Sequence, residues 1–163
     1  MKSVLPVITL GLAVLSSCAL IPRRDTVAYS AEGGPGRAPQ SVFVDQVDVD
    51  RRVLSREVAR DVTALLEVLA PENGFAITPT PETEAWPLRV HIVERETIRD
   101  FSPQFAIMVS LEMFSAPEAA GPALTVVHTS ESADSISSPW VLKRILNDCL
   151  REAARVFVAA PKK

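Results

Sequence analysis

The side chains of this chain that could do chemistry are two cysteines, two histidines, twenty carboxylates and a scatter of serines. A catalytic or metal site needs several such groups at fixed spacings, and those spacings are missing. His91 and His128 are far apart, and neither belongs to a ligand spacing of the zinc-site kind. No G-x-S-x-G elbow presents a serine as a nucleophile, and GGPGR at 33–37 lacks the lysine and following helix of a phosphate loop. Asp45, Asp48, Asp50 and Asp61 cluster, but Arg51, Arg52, Arg56 and Arg60 interleave with them and no EF-hand spacing occurs. That mixture is the pattern of a solvated, ion-paired surface. No catalytic residue, cofactor site or metal site is predicted, and the chain is not expected to be an enzyme.

Cys18 is the exception, because of what precedes it. Lys2 is followed by an apolar run from Val4 to Leu15, interrupted only by Pro6 and Thr9. The run is too short for a spanning helix, which takes roughly 20 residues. A basic start, a short apolar stretch and then small residues make the layout of a secretory signal peptide over residues 1–17. The four residues Leu15-Ser16-Ser17-Cys18 resemble the lipobox of bacterial lipoproteins. The resemblance implies that the Cys18 thiol is diacylglycerated, that residues 1–17 are removed, and that Cys18 becomes the lipidated N-terminus. Ala19 in place of an aspartate then implies the outer membrane of a two-membrane host. Each buried acyl CH₂ contributes about 0.8 kcal/mol, so an anchor of two or three chains is effectively permanent.

Lipid on Cys18 would block its sulfur and leave Cys149 without a disulfide partner. Cys149 falls on the apolar face of a predicted helix, which reads as a buried, inert thiol; a reactive or intermolecular thiol is the alternative. Seventeen Lys and Arg against twenty Asp and Glu, a net charge of −3 and no dense basic run argue against nucleic acid as a partner. With 47% hydrophobic residues overall, the part after Cys18 is sized for one domain.

The elements follow from periodicity. Residues 18–40, the lipidated cysteine and ALIPRRDTVAYSAEGGPGRAPQ, read as a flexible tether reaching roughly 25 Å on average. SVFVDQVDV (41–49) reads as a strand. RRVLSREVARDVTALLEVLA follows as an amphipathic helix with Leu54, Val58, Val62, Leu65, Leu66 and Leu69 on one stripe, Asp50 as its cap, and Pro71 and Gly74 as its stop. LRVHIVERE (88–96), QFAIMVSLEMF (104–114) and ALTVVHTSE (123–131) alternate as strands. SSPWVLKRILNDCLREAARVFVAA closes as a helix, with Pro139 at its first position and Leu142, Ile145, Leu146, Cys149, Ala153, Val156 and Phe157 as its stripe.

The predicted fold class is therefore α+β: one domain over 41–160, a four-stranded mixed sheet with two helices on one face, in the order β-α-β-β-β-α. A helical crossover makes the first two strands parallel, and the last three form an antiparallel meander. The uncovered sheet face carries Val93, Met108, Phe114 and Val127 among Arg89, His91, Arg95, Ser110 and Thr125. It is read either as a partner surface or as an ordinary wet sheet face.

Element order and size, with the helix after the first strand, the alternating QFAIMVSLEMF and the terminal helix at Pro139, make the domain similar to the lipopolysaccharide-assembly lipoproteins. That resemblance implies a non-enzymatic assembly factor on the outer membrane, beside a β-barrel partner and in contact with glycolipid. The alternative is a periplasmic binding or regulatory module for a cell-wall synthase or secretion complex.

Overall fold

The computed structural model describes residues 24–31, 38–51, 55–82, 84–99 and 101–159. The expected signal peptide, Cys18 and Leu54 lie outside the described residues. Eight elements follow in chain order: β1 (Arg24–Ser30), β2 (Ser41–Asp50), α1 (Ser55–Glu72), β3 (Ala76–Ile77), β4 (Ala85–Arg99), β5 (Ser102–Met113), β6 (Leu124–Ser132) and α2 (Pro139–Ala159).

The sheet has six strands in the order β1-β6-β5-β4-β2-β3, where four were expected. The predicted centre holds: β2 and β4 are parallel and joined through α1, and β4, β5 and β6 form an antiparallel meander. The two additional strands are edges. β3 is two residues long and lies parallel to the start of β2. β1 pairs antiparallel with β6 along its whole length, from Arg24 opposite Glu131 to Ser30 opposite Thr125. Part of the expected tether is thus a strand, because β6 would otherwise expose its backbone donors and acceptors on that side.

α2, with Ser130 of β6, clamps β1 in place. Arg144 donates to the Asp25 carboxylate at 2.8 Å, Ser130 donates to the same carboxylate at 2.6 Å, and the Arg155 guanidinium stands 5.9 Å from the Tyr29 ring centre. These partners lie more than a hundred residues from β1, so no local pattern announces them.

The helices lie on one sheet face because their stripes match its alternation. α1 buries Val58, Val62, Leu66 and Leu69; α2 buries Leu142, Ile145, Leu146, Cys149, Ala153, Val156 and Phe157. They close over Leu88, Val90 and Ile92 of β4, Ile107, Val109 and Leu111 of β5, and Leu124 and Val126 of β6. Each fully buried Leu, Ile or Val contributes about 1.5–3 kcal/mol relative to exposure, so this layer holds the fold together.

The start of α1 and the place of Pro71 differ from expectation, while Gly74 ends the helix as expected. β2 runs on through Asp50, whose carboxylate binds Arg95 rather than capping the helix. Pro71 sits inside the last turn, and Gly74, with φ of 88°, takes the left-handed position that ends it.

Candidate functional site

The helix-free face of the sheet is the surface the sequence singled out, and the structure sorts its residues. Val93, Met108 and Val127 are on it, from three neighbouring strands. Met108 faces Val93 on β4 and Thr129 on β6; Val127 faces Ser110 on β5 and Ala28 on β1. Met108 is 37% exposed, while Val93 and Val127 are half-buried. Phe114 is corrected: it is only 5% exposed, it lies just past the end of β5, and the Arg89 guanidinium sits 4.4 Å from its ring centre. Its amide donates to the Pro87 carbonyl, which turns the chain over that corner and removes the ring from the accessible face.

A shallow groove of about 420 Å³ crosses this face, lined by Thr26, Val93, Arg95, Ala106, Met108 and Thr129 among others. Its floor is apolar where Val93, Ala106 and Met108 meet. One rim is polar, with the Thr26 and Thr129 hydroxyls hydrogen-bonded across the β1–β6 ladder. Thr26 is a contributor the sequence did not reveal, since it entered with β1.

Two arginines of the face are held in ion pairs. Arg89 donates to Asp45 at 2.7 Å, where the β-bulge between Val44 and Gln46 brings that carboxylate onto the open face. Arg95 donates to Asp50, and the guanidinium hydrogen bond holds the Asp50 carboxyl below its usual range. Asp48 accepts from Gln46 at 2.7 Å, and Asp61 pairs with Arg60 at 3.7 Å. The aspartate cluster is therefore a set of separate ion pairs and hydrogen bonds. Among the described residues no group of three or more His, Cys, Asp or Glu side chains could hold a metal ion.

The histidines lie on opposite faces. His91 is exposed, opposite Ser110 and Asp48 in the ladders; His128 is fully buried under α2, with Nε2 3.5 Å from the Asp148 carboxylate. Cys149 is buried in the core, and burial, reinforced by the neighbouring Asp148 charge, pushes its thiol up to about 12. That is the opposite of what a nucleophilic thiol requires.

One buried polar site was not foreseen. Glu94, in period-two register with Val90 and Ile92, points into the covered side, where it accepts from the Ile136 amide at 2.7 Å and the Ser135 hydroxyl at 2.8 Å and pairs with Arg51. The signal was available, since a carboxylate in register with a core row must find partners.

Among the described residues no helix is long and apolar enough to cross a membrane. No protein-family model and no curated protein matches the chain. Solved structures do. The PelC dodecamer from Paraburkholderia phytofirmans superposes with a TM-score of 0.56 at 11% identity, over 78% of this chain and 96% of that one. A variant of it with one leucine replaced by methionine gives 0.55 at 14% identity, over 78% and 95%. A minor lipoprotein from Acinetobacter baumannii gives 0.44 at 12% identity, over 78% and 98%. At these identities the likeness to PelC is one of fold.

Proposed function

We propose that this chain is a lipid-anchored, non-enzymatic assembly subunit of an envelope complex, held to the outer membrane through Cys18 and engaging its partner through the open sheet face. The observation that carries the reading is the pairing of a lipobox-like Leu15-Ser16-Ser17-Cys18 with a domain whose helix-free face offers an apolar-floored groove. Two arginines of that face, Arg89 and Arg95, lie in ion pairs with Asp45 and Asp50 at its β2 side, away from the groove floor.

In its more specific form, the subunit assists lipopolysaccharide or outer-membrane assembly beside a β-barrel. Further copies of this chain also fit as partners. PelC, which shares the fold, is a dodecamer. Among the described residues β1 has no strand on its outer side, and β2 is covered by β3 only at Ser41 and Val42. Two different edges of this kind on one subunit are what a head-to-tail ring joins.

The test is photocrosslinking from Met108 and Val127 in living cells, with Cys18→Ala fractionated in parallel. Expected are loss of the chain from the outer membrane on Cys18→Ala, and adducts to a β-barrel protein or to the chain itself. Adducts confined to soluble periplasmic domains would replace this reading with a binding or regulatory module for a cell-wall synthase or secretion complex.

A further inference from the structure

β4 and β5 run on past the rest of the sheet. β2 stops opposite Val93 and β6 stops opposite Phe105, so among the described residues only these two strands continue beyond the Glu96–Phe105 pair. They form a two-stranded arm that closes with Arg99 opposite Ser102. Phe101 directly precedes Ser102 at this reversal. Phe101 has a φ of 62°, its ring is fully exposed, and Ile98 beside it is 79% exposed. A positive φ at a chain reversal suits glycine or asparagine, not a bulky aromatic. The domain gains nothing from an aromatic ring held in water in an unfavourable backbone conformation, so its reason lies outside the domain.

The ladders show what the arm points toward. Arg24, where β1 begins, is opposite Glu131; Glu131 is opposite Ala106, and Ala106 is opposite Arg95. This single row crosses the sheet at the end from which the arm projects. The chain coming from Cys18 therefore enters at the arm's end of the sheet. Six residues lead from Cys18 to Arg24, a reach of about 20 Å at most. Six residues also lead from Arg95 to Phe101, about 20 Å at strand rise. Trp140, half exposed, is the second residue of α2, which begins after β6 has ended at this same end.

We propose that the arm is a second membrane contact, with Ile98 and Phe101 seated at the boundary of headgroups and acyl chains in the bilayer that holds the lipid of Cys18. The inference rests on the reading of Cys18 as the lipidated residue. The matched lengths argue for it: a leash this short keeps the arm's end of the sheet within the arm's own reach of the membrane. Aromatic and aliphatic side chains gain most at that boundary when presented on a rigid element. An anchor alone leaves the domain free to tumble; anchor and arm together stand the strands on the membrane. The open face then looks sideways, toward whatever stands beside it in the same bilayer.

The test uses the full lipidated chain in vesicles of phosphatidylethanolamine and phosphatidylglycerol. An environment-sensitive dye is placed by Phe101→Cys and, as control, by Ala116→Cys in the exposed loop between β5 and β6 at the opposite end. Cys149, buried and with its thiol pushed up to about 12, does not take the dye. Expected are a blue shift at position 101, quenching there by lipids brominated near the top of their acyl chains, and water-like emission from 116. Water-like emission from both positions, on protein whose Cys18 carries lipid by mass spectrometry, overturns the arm and leaves the anchor standing. No lipid on Cys18 removes the anchor and the inference with it. A 101 dye that becomes dry only in native membranes, unquenched by brominated lipid, marks a protein docking site and also overturns the proposal. Phe101→Gly separates contact from folding: it should raise the unfolding temperature by relieving the backbone, yet abolish the blue shift of a dye placed by Ile98→Cys.

Discussion

Glu94 of β4 and Arg51, which follows β2, meet at 3.1 Å with side chains only 5% and 8% exposed. Because the same carboxylate also accepts from Ser135 and the Ile136 amide, one buried charge ties the β2–α1 connection and the approach to α2 to the middle of the sheet. Removing one member leaves the other charged and buried, which typically costs about 3–5 kcal/mol. Glu94→Ala should therefore lower stability by about that much in urea unfolding. Among the described residues two Arg51 nitrogens have no hydrogen-bond partner, so the pair is imperfectly satisfied there. The double variant Arg51→Met with Glu94→Ala should accordingly recover more than half the loss, read against Arg51→Met and Glu94→Ala alone as a coupling energy in a double-mutant cycle.

Cys149 should resist thiol reagents in the folded protein and react at an ordinary rate once urea unfolds it. Burial pushes its thiol up to about 12 in the folded chain, well above the ordinary thiol value, so the neutral thiol favours the folded state. The sign follows: this contribution is complete below the unfolded value and is lost as pH rises toward the folded one. Comparing melting temperatures of the natural chain and Cys149→Ala across that alkaline window should show a steeper fall for the natural chain.

Acid acts in the opposite sense on Asp50 and Glu152. The hydrogen bond from Arg95 lowers the first carboxyl and the hydrogen bond from Arg155 lowers the second, so each contributes stability above its ordinary range that is lost as pH falls through the folded value. Both pairs are exposed to solvent, and their effect is small and screened by salt. Asp50→Asn combined with Glu152→Gln should flatten the acid limb of the melting curve, and about 1 M salt should shrink the difference.

A charge placed on the open face separates recognition from folding. Met108→Glu should change stability by no more than about 0.5 kcal/mol, as exposed positions do, while abolishing crosslinks from Val127 to the partner. Val127→Lys, at a half-buried position, should cost about 1 kcal/mol. If folding, crosslinks and cellular phenotype all survive both changes, the face is an ordinary wet sheet surface.

Legibility followed the range of the interactions. The α2 stripe and the alternation of QFAIMVSLEMF were readable because each is a local repeat against a continuous core. RDTVAYS carries no strand signal of its own, because its reasons for being a strand are the β6 edge, Arg144 and Arg155, all remote in sequence. The β4–β5 arm was cut short for the opposite reason: two strands without a helix over them carry no buried row, and ETIR shows no period. Phe114 continued the strand's alternation on paper, but the chain leaves β5 at Met113 and folds the ring under Arg89.

By itself the sequence determined which side of each helix and central strand is apolar, and it set a lipobox-like cysteine ahead of the domain, because periodicity and short motifs are properties of adjacent residues. The tertiary structure alone decided which strands are edges, which carboxylate is buried, and that Arg24 and the Phe101 arm share one end of the sheet. Those outcomes depend on hydrogen-bond ladders between distant segments, and a ladder is closed only by whichever strand arrives beside it.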